Sequence, residues 1–139
     1  MQTDFELVYK IINQYIGPVS EGAVRLVGYT NDPSRGNVQI YHDGLWGAIC
    51  DHGWDYNDGR VACRQLGYAE ISTYHCCSNY GSQPTQIWLS NIGCTGNESS
   101  ILQCSRSAWN ATGSCSYHNT AGVTCLSMAF KLLYYLIEI

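Results

Sequence analysis

Apolar residues fall on alternate positions in some stretches of the chain and at helical spacing in others. Val24-Arg25-Leu26-Val27 predicts a first strand. Residues 30–36 carry Asn31, Asp32, Pro33, Ser34 and Gly36, which is loop chemistry. Val38-Gln39-Ile40-Tyr41, apolar on alternate positions, predicts a second strand. Asp43-Gly44 is a hairpin signal, and residues 45–50 return as a third strand with Trp46 and Ile49 turned to the core.

The period then changes. Asn57 or Asp58 is placed to cap a helix in which Val61, Ala62, Leu66 and, less regularly, Cys63 form an apolar stripe. Arg60, Arg64 and Gln65 are expected to face water, and Gly67 sits where a helix commonly ends. A cysteine on the buried stripe is well placed to bolt the helix to a strand. Residues 68–85 show no regular pattern. Residues 86–92 predict a strand, residues 97–104 a short helix with Ile101 and Leu102 inward, residues 105–119 a long polar loop containing Trp109, and residues 121–126 a closing strand.

Three segments follow from this pattern: a flank over 1–22, a domain over 23–126 and an apolar tail over 127–139. In the flank, Phe5, Val8, Ile12, Tyr15 and Ile16 fall near helical spacing before Gly17-Pro18. It reads as a short amphipathic helix, the end of a preceding domain or a poorly ordered terminus. No secretory signal is visible there, so an extracellular domain is expected to be a fragment of a longer protein or an incomplete gene product. The tail, MAFKLLYYLIEI from Met128, is too short to span a bilayer and is interrupted by Lys131 and Glu138. It reads as the start of a truncated segment or as non-native sequence.

Composition narrows the class. The 139 residues suffice for one domain with a modest core, and the net charge of −4 gives no footprint for nucleic acid. The eight cysteines, at 50, 63, 76, 77, 94, 104, 115 and 125, form no C-x-x-C pair of the kind zinc sites use. They favour disulfides and an oxidising, extracellular compartment. Asn97-Glu98-Ser99 and Asn110-Ala111-Thr112 are glycosylation sequons, which agree with that compartment, although such triplets also occur by chance.

The blocks VRLVG, NVQIYHDGLWGAICDHGWDYNDGRVACRQLGY, IWLSNIGCTGNESSILQC and AGVTC resemble, in order, the scavenger receptor cysteine-rich domain. The resemblance runs from about Ala23 to Leu126. It implies an α+β fold: a small curved antiparallel sheet cradling one main helix, a short second helix and long disulfide-stapled loops. It also implies one pairing among the on the order of a hundred that eight cysteines allow: Cys50 with Cys115, Cys63 with Cys125 and Cys94 with Cys104. Cys76 and Cys77 depart from the pattern, and the family's eight-cysteine branch has its extra cysteines near Ser34 and Tyr68, where this chain has none. The adjacent pair is therefore a vicinal bridge, two free thiols or a link to another chain; a metal site with His75 is disfavoured because three consecutive side chains do not readily wrap one ion.

For many members the resemblance implies a calcium site built from acids. Here these are Asp51, Asp55 and Glu98, with His52 standing where a second aspartate is usual and Asp58 nearby. The competing reading is that these acids cap the helix and favour its positive end. A glycan on Asn97 would crowd Glu98. The resemblance also implies polyanionic or microbial-surface ligands, or a protein partner. Arg60 and Arg64, four apart on the helix, are the candidate basic contacts, with solvated helix surface as the alternative; Trp109 is the tryptophan expected to be exposed for ligand binding, whereas Trp46, Trp54 and Trp88 are assigned to the core. Only Arg25, Arg35, Arg60, Arg64 and Arg106 are basic between Ala23 and Leu126, so binding by charge alone is weakly supported. No G-x-S-x-G, H-E-x-x-H, Walker or dinucleotide motif is present, and no enzyme is expected. The expected function is an extracellular ligand-binding module of a scavenger-receptor-like protein, secreted or carried on the ectodomain of a membrane-anchored parent chain. The alternative is a non-catalytic interaction or spacer domain of a larger secreted protein or enzyme.

Overall fold

The structure, a computed structural model, describes residues 3, 4, 6–8, 18–81, 84–126, 136 and 137. Of the residues singled out in the flank and the tail, Phe5, Ile12, Tyr15, Ile16, Gly17, Met128, Lys131 and Glu138 lie outside the described residues. The elements are β1 (Val24–Val27), β2 (Arg35–His42), β3 (Leu45–Ile49), α1 (Tyr56–Gln65), β4 (Glu70–His75), β5 (Ile87–Leu89), a single 3-10 turn (Ile101–Gln103) and β6 (Gly122–Leu126).

The sheet runs β4-β6-β2-β3-β5, with β1 paired to β2. β2 is its axis. It pairs antiparallel with β1 from Val24↔Ile40 to Val27↔Asn37, with β3 from Gln39↔Ala48 to His42↔Leu45, and with β6 from Arg35↔Thr124 to Asn37↔Gly122. The β2–β3 turn places Asp43 (φ +50°) and Gly44 (φ +79°) in left-handed conformations, the geometry whose twist matches a two-residue hairpin. One pair departs from the expected antiparallel sheet: β5 runs parallel to β3. Parallel neighbours need a long crossover, and the segment holding α1 and β4 supplies it.

The helix begins earlier than expected. Its cap is Asp55, not Asn57 or Asp58. The Asp55 side chain accepts the backbone N–H of Asp58, and the Asp58 side chain accepts that of Asp55, a reciprocal capping box built from two aspartates. Gly67, at φ +91°, follows the last turn. Val61, Ala62 and Cys63 are fully buried, while Leu66 is half-buried. Gly59 faces the sheet so closely that a β-carbon there would lie 2.6 Å from Ile71 Cδ1 and 3.0 Å from Val123 Cγ1, so α1 rests directly on β4 and β6. Gln65 does not face water. Its Nε2 donates to the Gly22 carbonyl and its Oε1 accepts the N–H of Ile101, tying the helix end to the β1 approach and to the 3-10 turn.

β4 falls in the stretch that carries no regular pattern in the sequence. Only Ile71 of its six residues is buried, and it is an edge strand held by β6 from Glu70↔Leu126 to His75↔Gly122. The strand expected over 86–92 contracts to Ile87–Leu89, and the helix over 97–104 to the 3-10 turn. Val38, Ile40, Ile49, Val61, Leu89, Ile101 and Val123 form the fully buried centre, with Trp54 and Trp88 against it.

All eight cysteines are bonded. Cys50–Cys115 and Cys63–Cys125 tie the middle of the chain to its end, with Cα separations of 6.1 and 5.6 Å, and Cys94–Cys104 closes the loop that contains the 3-10 turn at 4.7 Å. Cys76 and Cys77 are bonded to each other, the vicinal arrangement among the three alternatives for the odd pair.

Candidate functional site

The acids singled out in the sequence lie around the start of α1 and in the loops that meet it. Asp58 is completely buried. Its Oδ1 accepts the backbone N–H of Cys94 at 2.8 Å and its Oδ2 that of Asp55 at 2.8 Å. Burial pushes its carboxyl up to about 7, against those two N–H groups, which favour the ionised form. Beyond its part in the cap, Asp58 is the link between the helix and the 94–104 loop.

Glu98 is committed locally. Its carboxylate accepts the N–H of Thr95 at 2.9 Å, the Thr95 hydroxyl at 2.8 Å and the N–H of Gly96 at 3.0 Å. These bonds, the Thr95 N–H foremost, hold it down at about 2. Arg64, expected on a solvated helix face, reaches across and donates to the carbonyls of Gly96 and Glu98 at 3.0 Å each. Asp51 is half-buried, and its Oδ2 accepts the N–H of Cys77 at 2.8 Å. Its own N–H donates to Asn119, so Asp51 joins the end of β3 to two loops.

The donors do not fit calcium as one set. Among the described residues, no group of three neighbouring ligand atoms unites Asp51 with Asp55 or Glu98; the groups that do form are Asp51 with Cys76 and Cys77, His52 with Cys50 and Cys115, and Glu98 with Cys94 and Cys104. Asp51 and Asp55 each accept one backbone N–H, Glu98 accepts the Thr95 and Gly96 N–H groups and the Thr95 hydroxyl, and His52 offers nitrogen where a hard cation wants oxygen. The helix-capping alternative describes Asp55.

The other predicted contacts are also placed. Arg60 pairs with Glu70, Nε to Oε1 at 3.1 Å, across α1 and β4. Arg25 lies 4.4 Å over the half-buried Trp46 ring and donates to Gln39; Arg35 pairs with Asp32 at 3.1 Å. Trp109 is half-buried rather than a free platform. It stacks on His42 with centroids 3.7 Å apart and planes 1° from parallel, meets Trp88 edge-on at 6.1 Å, and has the Arg106 guanidinium 5.2 Å from its ring. His42 also contacts Glu21. None of the five arginines of the domain is left without a partner group. His42 and Arg106 carry the Trp109 arrangement, and neither had a sequence signal.

Asn97 and Asn110 are exposed. Asn110 (φ +64°) accepts at Oδ1 from Gln86 Nε2, 2.6 Å away, and borders a cavity of about 380 Å³ shared with Thr85, Ile87, Thr112 and Tyr117.

The curled sheet on one helix, closed by bonds 50–115, 63–125 and 94–104, agrees with the family model described as "Scavenger receptor cysteine-rich domain", which matches residues 29–126. The chain belongs to the scavenger receptor cysteine-rich family. It is 45% identical over 104 residues to mouse macrophage scavenger receptor types I and II, covering 75% of this chain and 22% of that protein. It is 37% identical over 107 residues to human lysyl oxidase homolog 2, covering 77% of this chain and 14% of that protein. Among solved structures it is similar to the dimeric form of the SRCR domain of mouse MARCO, with 40% identity, a TM-score of 0.60 and coverage of 73% and 93%. The third SRCR domain of murine neurotrypsin gives 33%, 0.66, 73% and 94%. The chain spans less than a quarter of the length of these curated relatives. The SRCR domain is itself non-catalytic, and it occurs in scavenger receptors and in lysyl oxidase homologs as part of a longer chain. Among the described residues no helix is long and apolar enough to cross a membrane.

Proposed function

We propose that this SRCR domain is an extracellular recognition module that binds a protein surface through exposed tyrosines on its stapled frame, rather than a polyanion through charge. The observation that carries the reading is the contrast between its arginines and its tyrosines. Each arginine of the domain is engaged by an acid, a carbonyl, an amide or a ring, as described above, so no basic patch is free to follow a polyanion. Tyr29 is 87% exposed, and Tyr56, Tyr74 and Tyr117 are each close to half exposed, on four different segments. Tyrosine combines a large apolar ring with a polar tip and little conformational freedom to lose, which suits protein contacts. Tyr56 and Tyr74 lie on adjacent elements: the Tyr56 hydroxyl donates to the Ile71 carbonyl of the strand that carries Tyr74.

The two sequons, at Asn97 and Asn110, lie on the exposed loops and agree with an extracellular glycoprotein. Calcium is not assigned a role in binding, because the acids do not assemble as one set. A second reading, a non-catalytic domain of a larger secreted enzyme, is supported by the similarity to lysyl oxidase homolog 2.

The test compares retention on dextran-sulfate beads at physiological salt, with and without chelator, against binding to an array of extracellular proteins. Low bead retention and array binding that falls with Tyr56→Ala and Tyr74→Ala are expected. Salt-resistant retention on the beads, unaffected by those substitutions, would overturn the reading.

A further inference from the structure

We propose that Cys76, Cys77 and Asp51 form a reductively opened site for a thiophilic divalent cation of the zinc class. A carboxylate oxygen of Asp51 and the sulfurs of Cys76 and Cys77 lie within 4.8 Å of one another. Both cysteines are exposed. In the other three bridges, Cys50, Cys63, Cys94, Cys104 and Cys125 are buried and only Cys115 is half-buried. Thiol–disulfide exchange requires access of a thiolate to a sulfur, so a small dithiol meets the 76–77 bridge first.

Opening this bridge leaves the frame intact. It joins neighbours in sequence, so it closes no long loop and restrains the unfolded chain little. The backbone that carries it is held independently. Ser78 N–H donates to the Thr120 carbonyl, the Ser78 hydroxyl meets Tyr117 and Thr120, and the Cys77 N–H is held by Asp51 Oδ2. Thr120 is buried, so these anchors belong to the core side of the loop. The backbone that carries the two sulfurs therefore stays beside Asp51 after reduction. Cys77 and Ser78 both sit at positive φ, +65° and +52°, a local shape maintained by the same anchors.

The chemistry balances. A dithiol reductant attacks one sulfur, forms a mixed disulfide and leaves as its own cyclic disulfide. The two electrons and two protons it gives up end on the sulfurs of Cys76 and Cys77. A zinc ion then displaces both thiol protons to solvent and takes two thiolates and one carboxylate oxygen. Three protein ligands with one open position is a coordination zinc accepts. His75 is not part of the set, since its Nε2 is engaged by Tyr80 and Thr124 at 3.0 Å each. The odd pair that departs from the family pattern is, on this reading, a metal site exposed by reduction.

The experiment uses the whole chain. Limited dithiothreitol followed by maleimide labelling and peptide mass spectrometry is expected to mark Cys76 and Cys77 alone. The desalted reduced protein is then titrated with zinc by calorimetry and with cadmium by its thiolate charge-transfer absorption. Binding at one equivalent is expected for the reduced protein only, and it is lost in Cys76→Ser/Cys77→Ser, whose remaining disulfide map stays unchanged. Asp51→Asn keeps an acceptor for the Cys77 N–H, and it should weaken zinc by at least the roughly tenfold that even outer-shell partners cost. Labels spread over the buried cysteines, equal zinc binding by oxidised and reduced protein, or unchanged affinity in Asp51→Asn would each overturn the proposal.

Discussion

The buried carboxyl of Asp58, in the first turn of α1, accepts the backbone N–H of Cys94 at 2.8 Å and so joins the helix to the disulfide-closed loop opposite. Its carboxyl is pushed up to about 7 by burial. A carboxyl whose folded pKa lies above its unfolded value favours folding when protonated. Its contribution is complete below about pH 4 and is lost as pH rises through about 7.

From this sign, the urea midpoint should fall between pH 4 and pH 7 by an amount equivalent to about 2–4 kcal/mol, at about 1.4 kcal/mol per unit of displacement. Asp58→Asn should flatten that slope. It should also cost about 1 kcal/mol throughout, because an amide cannot accept both N–H groups of the cap and the loop. Glu98 acts with the opposite sign. Held down at about 2, it contributes above its unfolded value and loses that contribution as pH falls toward 2. Glu98→Gln should remove this acid branch, read by the same denaturation series extended to pH 2.

Removing a long-range staple should cost far more than removing the vicinal one. Cys63→Ala/Cys125→Ala opens a 62-residue separation and Cys50→Ala/Cys115→Ala a 65-residue one. Each should cost about 4 kcal/mol in the chain-entropy account, and Cys94→Ala/Cys104→Ala about 3 kcal/mol. Cys76→Ser/Cys77→Ser should leave the midpoint within about 0.5 kcal/mol, as for surface changes. Urea denaturation of the four double variants checks the ranking, and equal losses for all four would contradict it.

Trp109→Ala should lower stability by about 2 kcal/mol, since it removes a half-buried ring and its stack on His42. Stacking also predicts that the His42 ring protons shift downfield in the variant as the indole ring current is lost. An unchanged midpoint and unchanged His42 resonances would place Trp109 on the surface instead.

His52 is exposed beside Asp51, at the position where the family resemblance implies a second aspartate. Because Asp51, Asp55 and Glu98 do not come together as one set, His52→Asp adds a hard oxygen without building a site, and calorimetry with calcium should show no tighter binding than in the parent chain. Clearly tighter binding in the variant would show that the nitrogen ligand, not the separation of the acids, limits the cation.

Much of this domain is written in local pattern. Alternation fixed β1, β2 and β3, Asp43-Gly44 fixed the hairpin, and the stripe Val61-Ala62-Cys63 fixed the helix face, because each depends on neighbours within a few residues. The cysteine blocks carried the family and, through it, three of the four bridges. What sequence could not show was pairing whose partner lies far along the chain. β4 has one buried residue and becomes a strand only because β6 supplies its hydrogen bonds. Asp58, Glu98 and Asp51 are acids of one kind in the sequence. The fold divides them into a buried link, a loop clamp and the anchor of the vicinal bridge, according to which backbone N–H groups it brings to each. Trp109 has the composition of an exposed loop residue, and only the return of that loop over His42 gives it a place. Local periodicity is a property of the chain, whereas hydrogen-bond partnership and desolvation are properties of the folded space around each side chain.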